Sequence, residues 1–282
     1  MGRAVLLLFG LACLGCSSGP PPAPPRPLVL ALLPAPRLAA LDLDAEPSGL
    51  AGGDFLLEVA TQLSAEARLD LCLVPGPCLS VGLEDEALEE ALVALADGLG
   101  QIAAPVYLGL TADDEPRAIL LEALGEALQG HPGEASVWGK SVLGWRPVAL
   151  SAGQTLAALE SEARAEARRA KPPAGEDDEE ESEDEEAARV EEQLPLLLVQ
   201  GDAGYTGGDP RTRLRVVSGE VAEVVTVGKV VEIRLPALES GLYALVTLFP
   251  DRLELEWRSV EPERVEAPPP VSLPWPGAKR KP

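Results

Sequence analysis

Histidine is almost missing from this chain: His131 is the only one in 282 residues. A site needing several imidazoles therefore cannot be built, and a Ser-His-Asp arrangement would have to use that one residue, with no serine elbow in sight. Aromatic residues make up 4% of the chain, so any core must be aliphatic. Lys and Arg number 23 against 46 Asp and Glu, a formal net charge of −23. That balance excludes a nucleic-acid platform and electrostatic adsorption to anionic lipid, both of which need basic patches. No glycine-rich loop carries the lysine that a phosphate-binding loop requires; "AGGD" has none. His131 itself lies in "QGHPGEAS", a loop pattern, and is read as an exposed turn residue.

What is present starts with an export signal. "MGRAVLLLFGLACLGCSS" has a basic Arg3, an apolar stretch from Ala4 to Ala12, then small residues around a cysteine. The apolar part is too short to remain as a membrane span. Leu14-Gly15-Cys16 resembles a bacterial lipoprotein signal, although the position three before the cysteine is Cys13 where that motif usually has leucine. The resemblance implies residues 1–15 removed, a diacylglycerol on Cys16, and a bacterial envelope location. Ser17 after it resembles lipoproteins sent to the outer membrane. Residues 16–27, including "SSGPPPAPPRP", read as a stiff tether, and no later segment is long and apolar enough to span.

From Leu28 onward, apolar runs alternate with helical patterns. "LVLALL", "LDLCLV" and "APVYLGL" read as buried strands. Between them, "DFLLEVATQLSAEA" reads as a helix capped by Asp54. "EDEALEEALVALADGLG" reads as a helix that stops at Gly98 and Gly100. A third helix is expected in "PRAILLEALGEALQG", then strands in "SVLGWRPVAL" and "LPLLLVQG" with the helix "GQTLAALESEARAEARRAK" between them. Continuous apolar strands separated by helices indicate a parallel α/β sheet covered on both faces. Of the remaining cysteines, Cys72 sits inside an apolar run as a small hydrophobe; a bridge to Cys78 would need a sharp reversal.

Residues 172–192 hold "GEDDEEESEDEEAARVEE", a like-charged block that repels itself and reads as a disordered surface insertion. A basic envelope protein is the partner that Glu176 to Glu186 would suit. In the last third, Val231, Ile233 and Leu235 alternate with charged residues, as do Leu253, Leu255 and Trp257. These are half-exposed antiparallel strands with turns at Gly228 and Pro250-Asp251. The tail, 261–282, is proline-rich and reads as unstructured.

The strand-end loops, taken in order over residues 28–260, resemble the calcineurin-like metallophosphoesterases. That family has a first strand ending in D-x-H, a second in G-D, a "PVY"-like third in G-N-H-D, then a later histidine and a G-H-x-H. The resemblance implies a sandwich of two mixed sheets flanked by helices, an α-β-β-α arrangement, with two divalent metals held at the strand ends. In this chain "VLALLPAP" puts Pro34 and Pro36 where D-x-H belongs, and "LVPGP" keeps Gly76 but offers Pro77 for the bridging aspartate. "PVYLGLTADD" puts Thr111, Ala112 and Asp113 at G-N-H and Asp114 at the aspartate. Gly201 or Asp202 stands for the later histidine, and "SGEVA" offers Glu220 and Ala222 for the last two.

Proline and alanine have no donor atom for a metal, so no cofactor is expected and the implied function is a non-catalytic binding or scaffold module. Two other readings stay open. One is a phosphoesterase with an all-oxygen site rebuilt from Asp42, Asp44, Asp113, Asp114, Asp202 and Glu220. The other is an unrelated α/β interaction lipoprotein whose acidic insertion recruits a basic partner. Asp113 and Asp114 precede Glu115-Pro116 and an aliphatic run, which is how helices begin, so they read as caps. The anchor is directly testable: Cys16→Ser is expected to abolish lipid attachment, by mass spectrometry, and to release the protein from membranes. Unchanged membrane retention would defeat the anchor.

Overall fold

The computed structural model describes residues 26–36, 38, 52–66, 68–79, 85–109, 111, 142–150, 155–161, 165, 193–200, 209–236 and 240–276. Cys16, the tether up to residue 25, the third expected helix, His131 and the acidic block lie outside the described residues.

Three apolar runs form parallel strands β1 (Leu28–Leu32), β2 (Leu71–Pro75) and β3 (Val106–Gly109). Antiparallel strands β9 (Leu242–Leu248), β10 (Arg252–Ser259) and β11 (Val271–Pro274) extend this sheet from the other side of β1, giving the order β11-β10-β9-β1-β2-β3. A second sheet is built from β4 (Arg146–Leu150), β5 (Leu196–Gln200), β6 (Thr212–Ser218), β7 (Glu223–Val227) and β8 (Val230–Leu235). Its order is β4-β5-β6-β8-β7, parallel except for the β7–β8 hairpin.

The sheets stack face to face. Leu28, Leu30, Leu32, Leu71 and Leu73 of the first meet Leu197, Val199, Leu214, Val216 and Ile233 of the second, all fully or nearly fully buried. Each such leucine contributes roughly 1.5–3 kcal/mol by leaving water. On the outer face of the first sheet lie α1 (Gly52–Ser64) and α2 (Asp85–Gly100). Phe55, Leu56, Val59, Ala60 and Leu63 of α1 recur at helical spacing and pack with Leu92, Leu95 and Leu99 of α2 over Ala31, Cys72 and Val74. Outside the second sheet, Leu156 and Leu159 of the helical residues 156–161 cover Val148, Leu150, Leu196 and Leu198. The fold is the two-sheet sandwich that the resemblance implied.

Several sequence expectations hold and others change. Val231, Ile233 and Leu235, and Leu253, Leu255 and Trp257, do face the inter-sheet core. The turns fall at Gly228, with φ +63°, and at Pro250-Asp251, where Phe249 N–H donates to the Arg252 carbonyl at 2.9 Å. Strand β8 is antiparallel only to β7; with β6 it is parallel. Glu232 is buried rather than exposed, because Arg215 and Arg234 close over it. Cys72 and Cys78 are fully buried and not joined in a disulfide, and burial pushes the Cys72 thiol well up, so Cys72 is an inert hydrophobe.

Asp54 is not a cap, since α1 begins two residues earlier at Gly52 and Asp54 lies in its first turn. A carboxylate there still suits the positive end of the helix. Gly98 does not stop α2 but lies within it. A Cβ at this position would come within 2.7 Å of Leu56 Cβ, so glycine is what lets α1 and α2 approach there.

The largest correction is at the C-terminus. Within the tail expected to be unstructured, Val271–Pro274 pairs with β10, from Arg252↔Pro274 to Leu255↔Val271. An edge strand tolerates proline because one side of it needs no ladder bond, and a proline-rich composition hid the alternation of Val271 and Leu273. Trp275 then tucks under the sandwich, 8% exposed, with its indole N–H donating to the Phe249 carbonyl at 2.8 Å. Trp275→Ala is expected to cost about 3 kcal/mol, read as a lower urea midpoint with a similar slope. An unchanged midpoint would mean the tail is dispensable to the domain.

Candidate functional site

The strand ends gather on one edge of the sandwich. β1 exits into Pro34, Ala35 and Pro36, all buried. β2 exits into Gly76 and Pro77, joined by a cis peptide bond. The two exits run on in parallel: Leu33 N–H donates to the Leu73 carbonyl at 3.0 Å, and Leu38 N–H to the Cys78 carbonyl at 2.9 Å. Gly76 N–H in turn donates to the Gly109 carbonyl at the end of β3, at 2.5 Å.

The second sheet reaches this edge through β6. Ser218 Oγ donates to the Gly76 carbonyl at 2.5 Å, the bond that joins the ends of β2 and β6 across the two sheets. Gly219 N–H donates to the Leu235 carbonyl at 2.7 Å. A Cβ on Gly219 would meet Arg234 Cβ at 2.9 Å, so the small residue is needed for the close turn after β6. Beyond it Glu220 is exposed, while Ala222 packs against the inter-sheet core.

The structure thus brings together the positions named from sequence on β1, β2 and β6: Pro34, Pro36, Pro77 and the Gly219 turn. It leaves Glu220 pointing to solvent. Ala112, Asp113 and Asp202 lie outside the described residues, as do Asp42, Asp44 and Asp114, and with them the reading of Asp113 as a helix cap. Thr111 is described and partly buried.

The described part of this edge does not fit a two-metal centre. Pro34 and Pro36 bring no donor atom, Pro77 brings none where a bridging carboxylate is needed, and the Gly76 carbonyl is engaged by Ser218. Among the described residues, no three of His, Cys, Asp and Glu stand close enough to share an ion. Of the nearby carboxylates, Glu223 and Glu232 are paired with arginines and Glu220 is exposed. A cleft of about 490 Å³ is lined by Ser218, Gly219 and Glu220 together with Arg215, Glu232 and Arg234. In it, Arg234 donates to Glu232 at 2.8 Å and to Glu223 at 2.9 Å, and Arg215 also pairs with Glu232. Burial pushes the Tyr107 hydroxyl up to about 12, which removes it as a base near neutral pH.

Sequence reasoning passed over one polar residue at this edge. Gln200 ends β5, is 1% exposed, and among the described residues neither its amide nitrogen nor its oxygen has a hydrogen-bond partner. By alternation it shares the face of Leu196 and Leu198. A polar residue closing a run as apolar as "LLLV" was the available signal.

No protein-family model matches this sequence, and no curated protein matches it. Solved structures do resemble it. Crystallised TT1561 of Thermus thermophilus is 11% identical, with 83% of this chain and 99% of that one covered, at a TM-score of 0.49. A conserved Streptococcus pneumoniae TIGR4 protein, described as a predicted phosphoesterase, is 11% identical over 88% of this chain and 98% of its own, TM-score 0.36. Vps29 of Chaetomium thermophilum is 12% identical over 88% and 100%, TM-score 0.37. At such identities and scores no function is transferred from any of them.

The bond that ties the edge together is testable. Ser218→Ala is expected to lower stability by about 1 kcal/mol, measured by chemical denaturation, because a part-buried carbonyl loses its donor. No change would mean that water replaces the hydroxyl without cost.

Proposed function

We propose that this chain is a non-catalytic, metallophosphoesterase-like module, held in a bacterial envelope by a lipid on Cys16, that binds or scaffolds another envelope component. One observation carries the reading. The exits of β1, β2 and β6 converge, and what they present is proline, a glycine carbonyl and a serine hydroxyl bonded to each other. The chemistry of a two-metal phosphoesterase needs an activated water and a clamp on the phosphate oxygen, and both depend on ligating side chains at these exits. The lipid anchor and its outer-membrane destination rest on the Leu14-Gly15-Cys16 signal and Ser17. A basic envelope protein docking on Glu176–Glu186 is part of the same proposal and rests on the density of negative charge there.

The alternative, a phosphoesterase with a rebuilt carboxylate site, is separated by one experiment. Protein purified with manganese, iron or zinc supplied is expected to hold far less than one metal per chain by elemental analysis. It is also expected to leave p-nitrophenyl phosphate and bis-p-nitrophenyl phosphate unhydrolysed. One or more tightly held metals per chain, with hydrolysis lost on chelation, would replace this proposal with the enzyme.

A further inference from the structure

The opposite edge of the sandwich, where the parallel strands begin, carries a second cleft of about 490 Å³. That volume is in the range of small-molecule sites. Trp145, just before β4, and Trp275, just after β11, form its aromatic wall, with ring centroids 5.2 Å apart and planes inclined at 44°. The Trp275 indole and the Trp145 backbone are both held by hydrogen bonds. Trp275 is fixed by its bond to the Phe249 carbonyl. Trp145 closes a two-residue turn by exchanging backbone bonds with Val142 at 2.8 and 3.0 Å. The residues of that turn, Leu143 and Gly144, both have positive φ, 51° and 79°. The left-handed region is unfavourable for leucine, and here it places Leu143 on the cleft.

Charge sets this cleft apart from its described surroundings. Among the described residues its lining includes Arg26, Arg213 and Lys229 and no carboxylate, on a chain whose formal net charge is −23. Arg26 is 3.2 Å from Asp70. Elsewhere among the described residues Arg68, Arg211, Arg215, Arg234, Arg252, Arg258 and Arg264 each pair with a carboxylate, and Arg146 is also engaged. Arg213 and Lys229 are the two described cations with no hydrogen-bond or ion-pair partner among the described residues, and both line this cleft. In a protein with twice as many acids as bases, two cations without a partner among the described residues, beside a tryptophan pair, suit negative charge on a flat group.

We propose that this cleft binds a small anion bearing a planar apolar group, its ring against Trp145 and Trp275 and its anionic head between Arg213 and Lys229. A guanidinium and an ammonium both suit a sulfonate, phosphate or carboxylate head, and the surrounding prolines and leucines suit the ring. The site stands at the edge away from the β1, β2 and β6 exits, so it does not depend on the reading given for them.

Isothermal titration calorimetry of the full chain with 2-naphthalenesulfonate tests the assignment, with neutral 2-naphthol in parallel. This anion carries no hydrolysable bond, so the result is independent of any phosphoesterase activity. The expected result is saturable binding at one site, weakened by added salt, with 2-naphthol at least tenfold weaker. Arg213→Glu with Lys229→Glu is expected to weaken sulfonate binding by tenfold or more at an unchanged melting temperature. Lys229→Glu alone, on an exposed turn, is expected to weaken it severalfold and serves if the double variant fails to fold. No saturable binding to the native chain, equal affinity for 2-naphthol, or unaltered binding by the folded charge variants would each overturn the proposal.

Discussion

Everything in this sandwich depends on strands β1 and β2 being buried on both faces. Along β1, Leu28, Leu30 and Leu32 enter the inter-sheet core while Ala31 packs under the helices. Along β2, Leu71 and Leu73 take the first role and Cys72 and Val74 the second. Such strands stay in place only if both faces are covered, which is why a second sheet lies on one side and α1 and α2 on the other. Their starts are tied by Asp70, whose carboxylate accepts from Val29 N–H at 2.9 Å and from Arg68 at 2.8 Å, while its own N–H donates to the Val29 carbonyl at 2.9 Å. That reciprocal pair fixes the register in which Leu30 meets Leu71.

Around this core the scarce cations are spent locally. Arg211 pairs with Asp209, holding that carboxyl below its ordinary range, and reaches Glu160 on the helical residues 156–161. It thereby ties the cover of the second sheet to the start of β6. Arg258 of β10 joins Glu66 just past α1, beside the Tyr243 hydroxyl that donates to Gln62 at 2.9 Å. Pairs of this kind, still partly open to solvent, contribute on the order of 1 kcal/mol each. Glu232 differs: it is buried, and without Arg215 and Arg234 its charge would be strongly unfavourable.

Periodicity made the central strands and the two described helices legible, because "LVLAL", "LCLV" and the i, i+4 leucines are dictated by burial. Contacts between distant segments were not legible. Strand β7 is short and half-exposed, and its "EVVTV" gains meaning only beside β8. Gly98 looks like a helix stop until Leu56 is placed against it. The proline-rich tail looks unstructured until β10 offers it a free edge. At the strand-end edge, the sequence named Pro34, Pro36 and Pro77 in order, yet only the fold revealed that Ser218 closes on the Gly76 carbonyl. The tryptophan cleft was invisible in one dimension, since Arg26, Trp145, Arg213, Lys229 and Trp275 come from five separate parts of the chain.

The two edges also differ in what holds them. A cluster of metal-ligating carboxylates is held against its own repulsion by the cations it binds. Here the exits of β1 and β2 are proline-containing, and prolines at compatible backbone positions stabilise by narrowing the unfolded ensemble. A backbone carbonyl capped by a serine hydroxyl completes the join without adding charge. At the strand-end edge the β2 and β6 exits are therefore joined by uncharged groups, a glycine carbonyl and a serine hydroxyl, while Gln200 nearby keeps its buried amide without a partner among the described residues. At the strand-start edge the Trp275 indole is held by the Phe249 carbonyl, one leucine adopts an unfavourable conformation, and two cations lack counter-charges among the described residues. Local strain is tolerable in a stable sandwich, and the buried β1–β2 core supplies that stability.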